Sequence, residues 1–185
     1  YDLEYTPTQG YNHIITKLEL NSHTILEESY LCAAGHVPKS SGAGAGCDPC
    51  AAGKYAERGA LSCSNCAAGK DSTGGAYAQS QCSNCAAGKV SAGGVACSGC
   101  AVGEKPKSDK SACENCPHGK YQDSDGQWDT CKSCPKGKAN AGGTAASDYD
   151  SPTDCDDCGT GKYADTVGKT TCDTCAAGSE TQASS

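Results

Sequence analysis

The sequence predicts a small disulfide-rich fold: an elongated tandem-repeat rod of short β-hairpin and turn modules with little hydrophobic core, preceded by a short β-rich segment. Three observations predict it. Cysteine is dense, with 17 in 185 residues, near the level that marks a disulfide scaffold. Large apolar side chains are scarce, with no Phe, no Met and one Trp, Trp128. A Cys-x-x-Gly motif returns at intervals along the chain from Cys32 onward.

The scarcity is uneven. Leu3, Ile14, Ile15, Leu18, Leu20, Ile25, Leu26 and Leu31 fall in the first 31 residues. The rest of the chain holds only Val37, Leu61, Val90, Val95, Val102 and Val167. Burying one such side chain yields roughly 1.5–3 kcal/mol, while ordering the backbone costs roughly 1–2 kcal/mol per residue. Six spread side chains therefore cannot hold residues 32–185 together, and the cysteines must. Dense structural disulfides imply an extracellular or cell-surface location, because cytosolic thiols are kept reduced.

Residues 1–31 form a region of their own, with no Cys. Ile14, Thr16, Leu18 and Leu20 alternate with Ile15, Lys17 and Glu19, a period-two strand pattern. Asn21-Ser22-His23 reads as a turn, and residues 24–31 as a returning strand or short helix. The region is expected to be a β-hairpin or the tail of a preceding β-rich domain.

Residues 32–185 read as about eight complete repeats and one open half-unit. The repeats open at Cys32, Cys50, Cys66, Cys85, Cys100, Cys116, Cys134, Cys158 and Cys175, and Gly stands three residues after each of these nine. A Gly fixed at one offset requires either a positive φ or a close chain contact that excludes a Cβ. Lys follows the Gly in six repeats, and Tyr follows that Lys at Tyr55, Tyr121 and Tyr163. These rings are expected to pack on neighbouring disulfides.

Spacing offers a sequential pairing, in which each opening Cys meets the first Cys of the next Cys-x-x-Cys. That gives Cys32–Cys47, Cys50–Cys63, Cys66–Cys82, Cys85–Cys97, Cys100–Cys113, Cys116–Cys131, Cys134–Cys155 and Cys158–Cys172, with Cys175 unpaired and its partner expected beyond Ser185. The chain is on this reading a fragment. Closing a loop of about 15 residues contributes about 3 kcal/mol in the chain-entropy model. Spacing alone leaves an interleaved pairing open.

Zinc is the rival for the cysteines, since Cys47-x-x-Cys50 followed by Cys63-x-x-Cys66 has the spacing of a four-cysteine site. The unbroken run of such pairs, in one period with Cys-x-x-Gly, favours bridges. Calcium is a weak candidate at Asp123, Asp125 and Asp129, whose carboxylates suit a hard cation. No bidentate Glu follows at the expected place, so a solvated acidic turn is preferred. Asp148, Asp150, Asp154, Asp156 and Asp157 crowd the longest loop. His13, His23, His36 and His118 are scattered and read as surface residues. No other cofactor is expected.

The unit Cys50-Ala51-Ala52-Gly53-Lys54-Tyr55 with Ser62-Cys63-Ser64-Asn65-Cys66 resembles the ephrin-receptor-like cysteine-rich repeat, a relative of tumour-necrosis-factor-receptor-like modules. The resemblance recurs at Cys116-Pro117-His118-Gly119-Lys120-Tyr121 and Cys158-Gly159-Thr160-Gly161-Lys162-Tyr163. Ala often stands where that family has Pro after the opening Cys. Long arrays of this kind are similar to those of protist cell-surface and flagellar-hair (mastigoneme) proteins. The resemblance implies an extended extracellular array and brings no catalytic residues.

The expected function is that of a structural component of an extracellular filament, flagellar hair or surface coat. The alternative is a receptor or adhesion ectodomain with the repeats as a stalk. An enzyme is not expected. Partners would be other copies or other extracellular chains of one assembly. A net charge of −7 disfavours nucleic acid, and no apolar run reaches the roughly 20 residues a membrane span needs.

Overall fold

A computed structural model describes residues 11–15, 28–39 and 46–179. Every sheet among them is a two-stranded antiparallel ribbon. The first joins β1, Tyr11–Ile15, to β2, Glu28–Cys32, with Tyr11 opposite Cys32 and Ile15 opposite Glu28. Residues 16–27, which hold most of the expected strand alternation and turn, lie outside the described residues.

The chain then runs through eight hairpin modules, numbered here by their opening cysteines from Cys32 to Cys158. Module 1 pairs β3, His36–Pro38, with β4, Cys47–Pro49. Module 5 pairs Glu104–Pro106 with Cys113–Asn115. In the other six, the ribbon shrinks to two residues a side, as for Lys54–Tyr55 against Ser64–Asn65 and Lys120–Tyr121 against Lys132–Ser133. There is no α-helix among the described residues, only single turns of 3-10 helix at Gln79–Gln81, Ala146–Asp148 and Pro152–Asp154.

Such short ribbons are unstable alone, and each is closed at its end by a disulfide. The bridges join Cys32–Cys47, Cys50–Cys63, Cys66–Cys82, Cys85–Cys97, Cys100–Cys113, Cys116–Cys131, Cys134–Cys155 and Cys158–Cys172. Every bridge lies within one module. The opening cysteines of modules 1 to 7 are buried and, with Cys82, Cys131, Cys155, Val90, Tyr149 and a few Ala and polar residues, make up the core among the described residues.

The recurring Gly turns the chain into the hairpin. In module 2 Lys54 N–H donates to Ala51 O at 3.1 Å across Gly53, whose φ is +81°. This is the geometry of a type II turn, whose third residue must have positive φ. The same bond closes all nine motifs, including Glu104 to Ala101 and Ser179 to Ala176. The hairpin continues outward from it, with Cys66 N–H donating to Gly53 O at 2.8 Å.

By internal contacts the chain divides into two compact units. Unit 1 takes in the chain up to Asn84 together with Ser91–Ala96. Unit 2 comprises Cys85–Val90 and the chain from Cys97 on.

Candidate functional site at the module joints

No disulfide crosses from one module to the next, so the joints rest on weaker contacts. Three recur. In the first, the motif Gly donates its N–H to the carbonyl three residues past the next motif Gly. In unit 1, Gly35 reaches Ala56 O at 2.7 Å and Gly53 reaches Ser72 O at 3.0 Å. In unit 2, Gly103 reaches Gln122 O at 2.7 Å and Gly119 reaches Asn140 O at 2.8 Å. The accepting residues Ala56, Ser72, Gln122 and Asn140 are all buried.

In the second, the carbonyl of an opening Cys accepts from a Gly N–H in the loop of the next module. Gly75 donates to Cys50 O at 2.7 Å in unit 1, and Gly126 to Cys100 O at 2.9 Å in unit 2. The third contact reaches further than immediate neighbours. A Cβ built on Gly103 would fall on the Ala146 carbonyl, two modules on. One on Gly35 would fall on the Gly75 carbonyl, and one on Gly119 on the Gly168 carbonyl. Within each unit a motif Gly therefore packs on the module after next as well as on its neighbour. Here both reasons for a Gly act together, positive φ and close backbone approach.

The joint around Gly88 in unit 2 is built differently. The loop residue that meets Cys85 O is Lys110, at a place where other loops carry Gly. Lys110 has φ +54°, the one positive φ at a non-Gly among the described residues. Its backbone N–H stays within its own loop, on Lys107 O at 2.9 Å. Its Nζ instead donates to Cys85 O at 3.0 Å and Ala86 O at 3.1 Å. Nζ also lies 3.2 Å from Asp129 Oδ2, and Asp129 Oδ1 accepts the Gly88 N–H at 2.9 Å. The Gly88 N–H and then the Lys110 ammonium hold the Asp129 carboxyl below the usual carboxylate range.

The three weak calcium candidates are engaged separately. Asp123 Oδ1 accepts from Lys132 Nζ at 2.5 Å and from Ser124 Oγ at 3.1 Å, and the Lys132 bond chiefly lowers its pKa. Asp125 Oδ1 accepts the Val102 N–H at 3.1 Å. No group of three His, Cys, Asp or Glu fit to hold a metal occurs among the described residues. The acids of the longest loop also serve the backbone: Asp148 Oδ2 accepts the Ala145 N–H at 2.9 Å, and Asp154 Oδ2 accepts that of Ser151 at 2.8 Å. Sixteen cysteines stand in bridges, and Cys175 is free and half-buried, so the zinc reading finds no thiolate cluster.

One aromatic that packs on a disulfide is Tyr149, which the sequence reading passed over. It is 2% exposed and forms a small cluster with Cys116 and Cys131. Its hydroxyl donates to Gly143 O at 2.8 Å and accepts the Gly143 N–H at 3.0 Å. His118 is exposed and stacks against the Tyr149 ring. Of the rings after Gly-Lys, Tyr163 is exposed and Tyr121 sits under Lys132 Nζ at 6.0 Å. Trp128 is 53% exposed. Gln122, which is buried, donates through Nε2 to Thr130 O at 3.1 Å, while its Oε1 has no protein partner.

These joints use backbone and Cys and Gly positions far more than side-chain chemistry, which is the construction of a structural or ligand-binding repeat. No helix among the described residues is long and apolar enough to cross a membrane. Residues 103–151 match the family described as "Tyrosine-protein kinase ephrin type A/B receptor-like". A search of curated proteins finds no match. The matched stretch starts at the Gly103 elbow and runs through all of module 6 into the Tyr149 loop, and with the eight consecutive bridges it identifies an ephrin-receptor-like cysteine-rich repeat within this chain.

Proposed function

We propose that the chain is a structural component of an extracellular filament, flagellar hair or cell-surface coat, in which the modules act as spacer and assembly elements and not as an enzyme. One observation carries this reading: each module is closed by its own disulfide, while neighbours join through backbone hydrogen bonds. Such joints constrain chiefly the Cys and Gly positions and the buried residues that accept from them. Repeats joined this way gain stability from each further neighbour. The disulfide density supports an extracellular or surface location. Partners on this reading are other copies or other extracellular chains of the same assembly.

The match at residues 103–151 favours a second reading, a receptor or adhesion ectodomain that uses the modules as a stalk. Light scattering and negative-stain imaging of the natively isolated protein separate the two. Filaments or higher assemblies support the first reading. A monodisperse monomer at high concentration overturns it and leaves the ectodomain.

A further inference from the structure

We propose that Lys110 and Asp129 form an electrostatic latch across modules 4, 5 and 6, a joint that opens locally as ionic strength rises while the backbone-closed joint at Gly103 stays shut. Both joints lie in unit 2, so the comparison is internal to one compact body.

The case begins with the ion pairs. Lys39–Asp48, Lys105–Glu114, Lys132–Asp123, Lys138–Asp157 and the two pairs made by Lys169 each stay within one module. Lys110–Asp129 is the one ion pair among the described residues that crosses between modules. It is also tied directly to backbone groups of a third module. Asp129 occupies the Gly88 N–H, and Lys110 occupies the carbonyls of Cys85 and Ala86. At Gly103, by contrast, the N–H goes to the Gln122 carbonyl, and the Gln122 N–H to the Tyr149 carbonyl.

The surroundings leave the pair addressable by solvent. A hollow of about 470 Å³ beside it is lined by Lys105, Lys107, Asp109 and Glu114 as well as by the pair itself. Lys105 is committed to Glu114 and Asp109 to Ser111, so neither substitutes for Asp129 or Lys110. The side chains of Lys110 and Asp129 are 24% and 45% exposed. A pair in that position is screened as salt shortens the Debye length from about 10 Å at 0.1 M to about 3 Å at 1 M. Backbone hydrogen bonds between neutral groups respond to salt far less. Because every bridge lies within one module, this joint can open with all disulfides intact.

The test is amide hydrogen exchange on the full oxidised chain, read at Gly88 and Gly103 at constant pH. Raising salt from 0.1 M to 1 M is expected to speed exchange at Gly88 several-fold and leave Gly103 unchanged. Asp129→Ala, which removes the acceptor, is expected to speed Gly88 exchange about tenfold. Asp129→Asn, which keeps an oxygen but no charge, is expected to fall between. Gly88 exchange indifferent to salt and to both variants overturns the latch. Equal acceleration at Gly88 and Gly103 overturns it as well, since the opening would not be local. The salt series on the unsubstituted protein decides the matter if a variant fails to form its bridges.

Discussion

Gly88 and Gly103 open neighbouring modules with the same Cys-x-x-Gly motif and nearly the same φ, +70° and +79°. Their joints are nevertheless closed by different chemistry. Gly103 is sealed by backbone, with its N–H on Gln122 O and its Cα face against Ala146. Gly88 likewise sets its Cα face against backbone two modules on, at Gly126, but its N–H is on a carboxylate, with a Lys ammonium in the place of a loop Gly N–H. One motif thus specifies the elbow but not what covers it. The cover comes from one and two modules downstream, by way of Lys110 and Asp129 at Gly88 and of backbone carbonyls at Gly103.

What the two joints share is the bridge in each hairpin, and removing it has the largest effect. Full reduction is expected to convert residues 32–179 into a disordered chain. Each closed loop of about 15 residues contributes about 3 kcal/mol, and the buried apolar side chains are too few to replace it. Circular dichroism and hydrodynamic radius read the change, and values that barely move would place the stability elsewhere. Non-reducing peptide mapping should recover Cys50 with Cys63 and Cys66 with Cys82. Peptides linked otherwise would require a different set of joints.

The Gly103 joint can next be attacked from its cover. Ala146 stands at the start of a short 3-10 turn whose end is held by Tyr149, with Tyr149 N–H donating to Ala146 O at 3.0 Å. Tyr149→Ala removes the largest fully buried side chain and is expected to cost about 3–5 kcal/mol. Tyr149→Phe keeps the ring, loses both bonds to Gly143 and is expected to cost about 1–3 kcal/mol. Thermal or denaturant midpoints of the oxidised protein measure both. A Phe variant as damaged as the Ala variant would show that the hydroxyl, not the ring, holds the loop.

The elbow itself separates backbone conformation from close approach. Gly103→Ala meets the Ala146 carbonyl in addition to its positive φ, so a loss of about 2–5 kcal/mol is expected. Gly137 has the same φ sign, +81°, but nothing lies within 4 Å of its Cβ position among the described residues. Gly137→Ala should therefore cost only the conformational part, about 1–2 kcal/mol. Equal losses at both positions would reduce the role of the module after next to none.

The hairpin modules were legible because the motif repeats: nine Gly residues at one offset imply a fixed turn, and nine turns with positive φ are found. The partners of those turns were less legible, since contacts two modules apart depend on three-dimensional stacking that spacing does not encode. One signal was available. The residue three past each motif Gly is small or polar at Ala56, Ser72, Ser91, Asn140 and Ala164, and all five are buried. Lys110 was legible only by aligning loops on their Gly and noticing the exception. Tyr149 was missed because its loop is the longest and its ring follows no motif. Asp123, Asp125 and Asp129 looked alike as a run of acids, and only the fold assigns each to a different partner. Of the alternation expected from Ile14 to Leu20, only Ile14 and Ile15 are described, at the end of the strand Tyr11–Ile15.

Exchanging Lys110 for the residue found at the equivalent loop positions tests the contrast more gently. Lys110→Gly relieves a positive φ that costs a non-Gly residue about 1–2 kcal/mol and removes the ammonium at once. The two changes oppose each other, so overall stability is expected to shift by less than about 1 kcal/mol. The salt dependence of the Gly88 amide should fall, because Asp129 keeps its bond to the Gly88 N–H but no longer faces a cation from another module. An unchanged salt dependence would assign it to another charge.

The smallest effect is a titration, and it has a defined sign. The Asp129 carboxyl is held below its ordinary value first by the Gly88 N–H and then by Lys110. An unfolded aspartate titrates near about 3.9. A carboxylate depressed in the folded state contributes stability that is complete above that unfolded value. The contribution is lost as pH falls through the lower folded one. Nothing should therefore change at this joint between neutral pH and about 4. Further acidification should move the Gly88 amide resonance, with a midpoint below that of an ordinary aspartate. The Gly103 amide, bonded to the Gln122 carbonyl, has no carboxylate to report and should stay flat over the same range. Nuclear magnetic resonance of the oxidised protein reads both amides in one series. A Gly88 midpoint at or above about 3.9 would mean that Asp129 is not held by that N–H in solution. A Gly103 resonance that moves in parallel would erase the difference between the two joints.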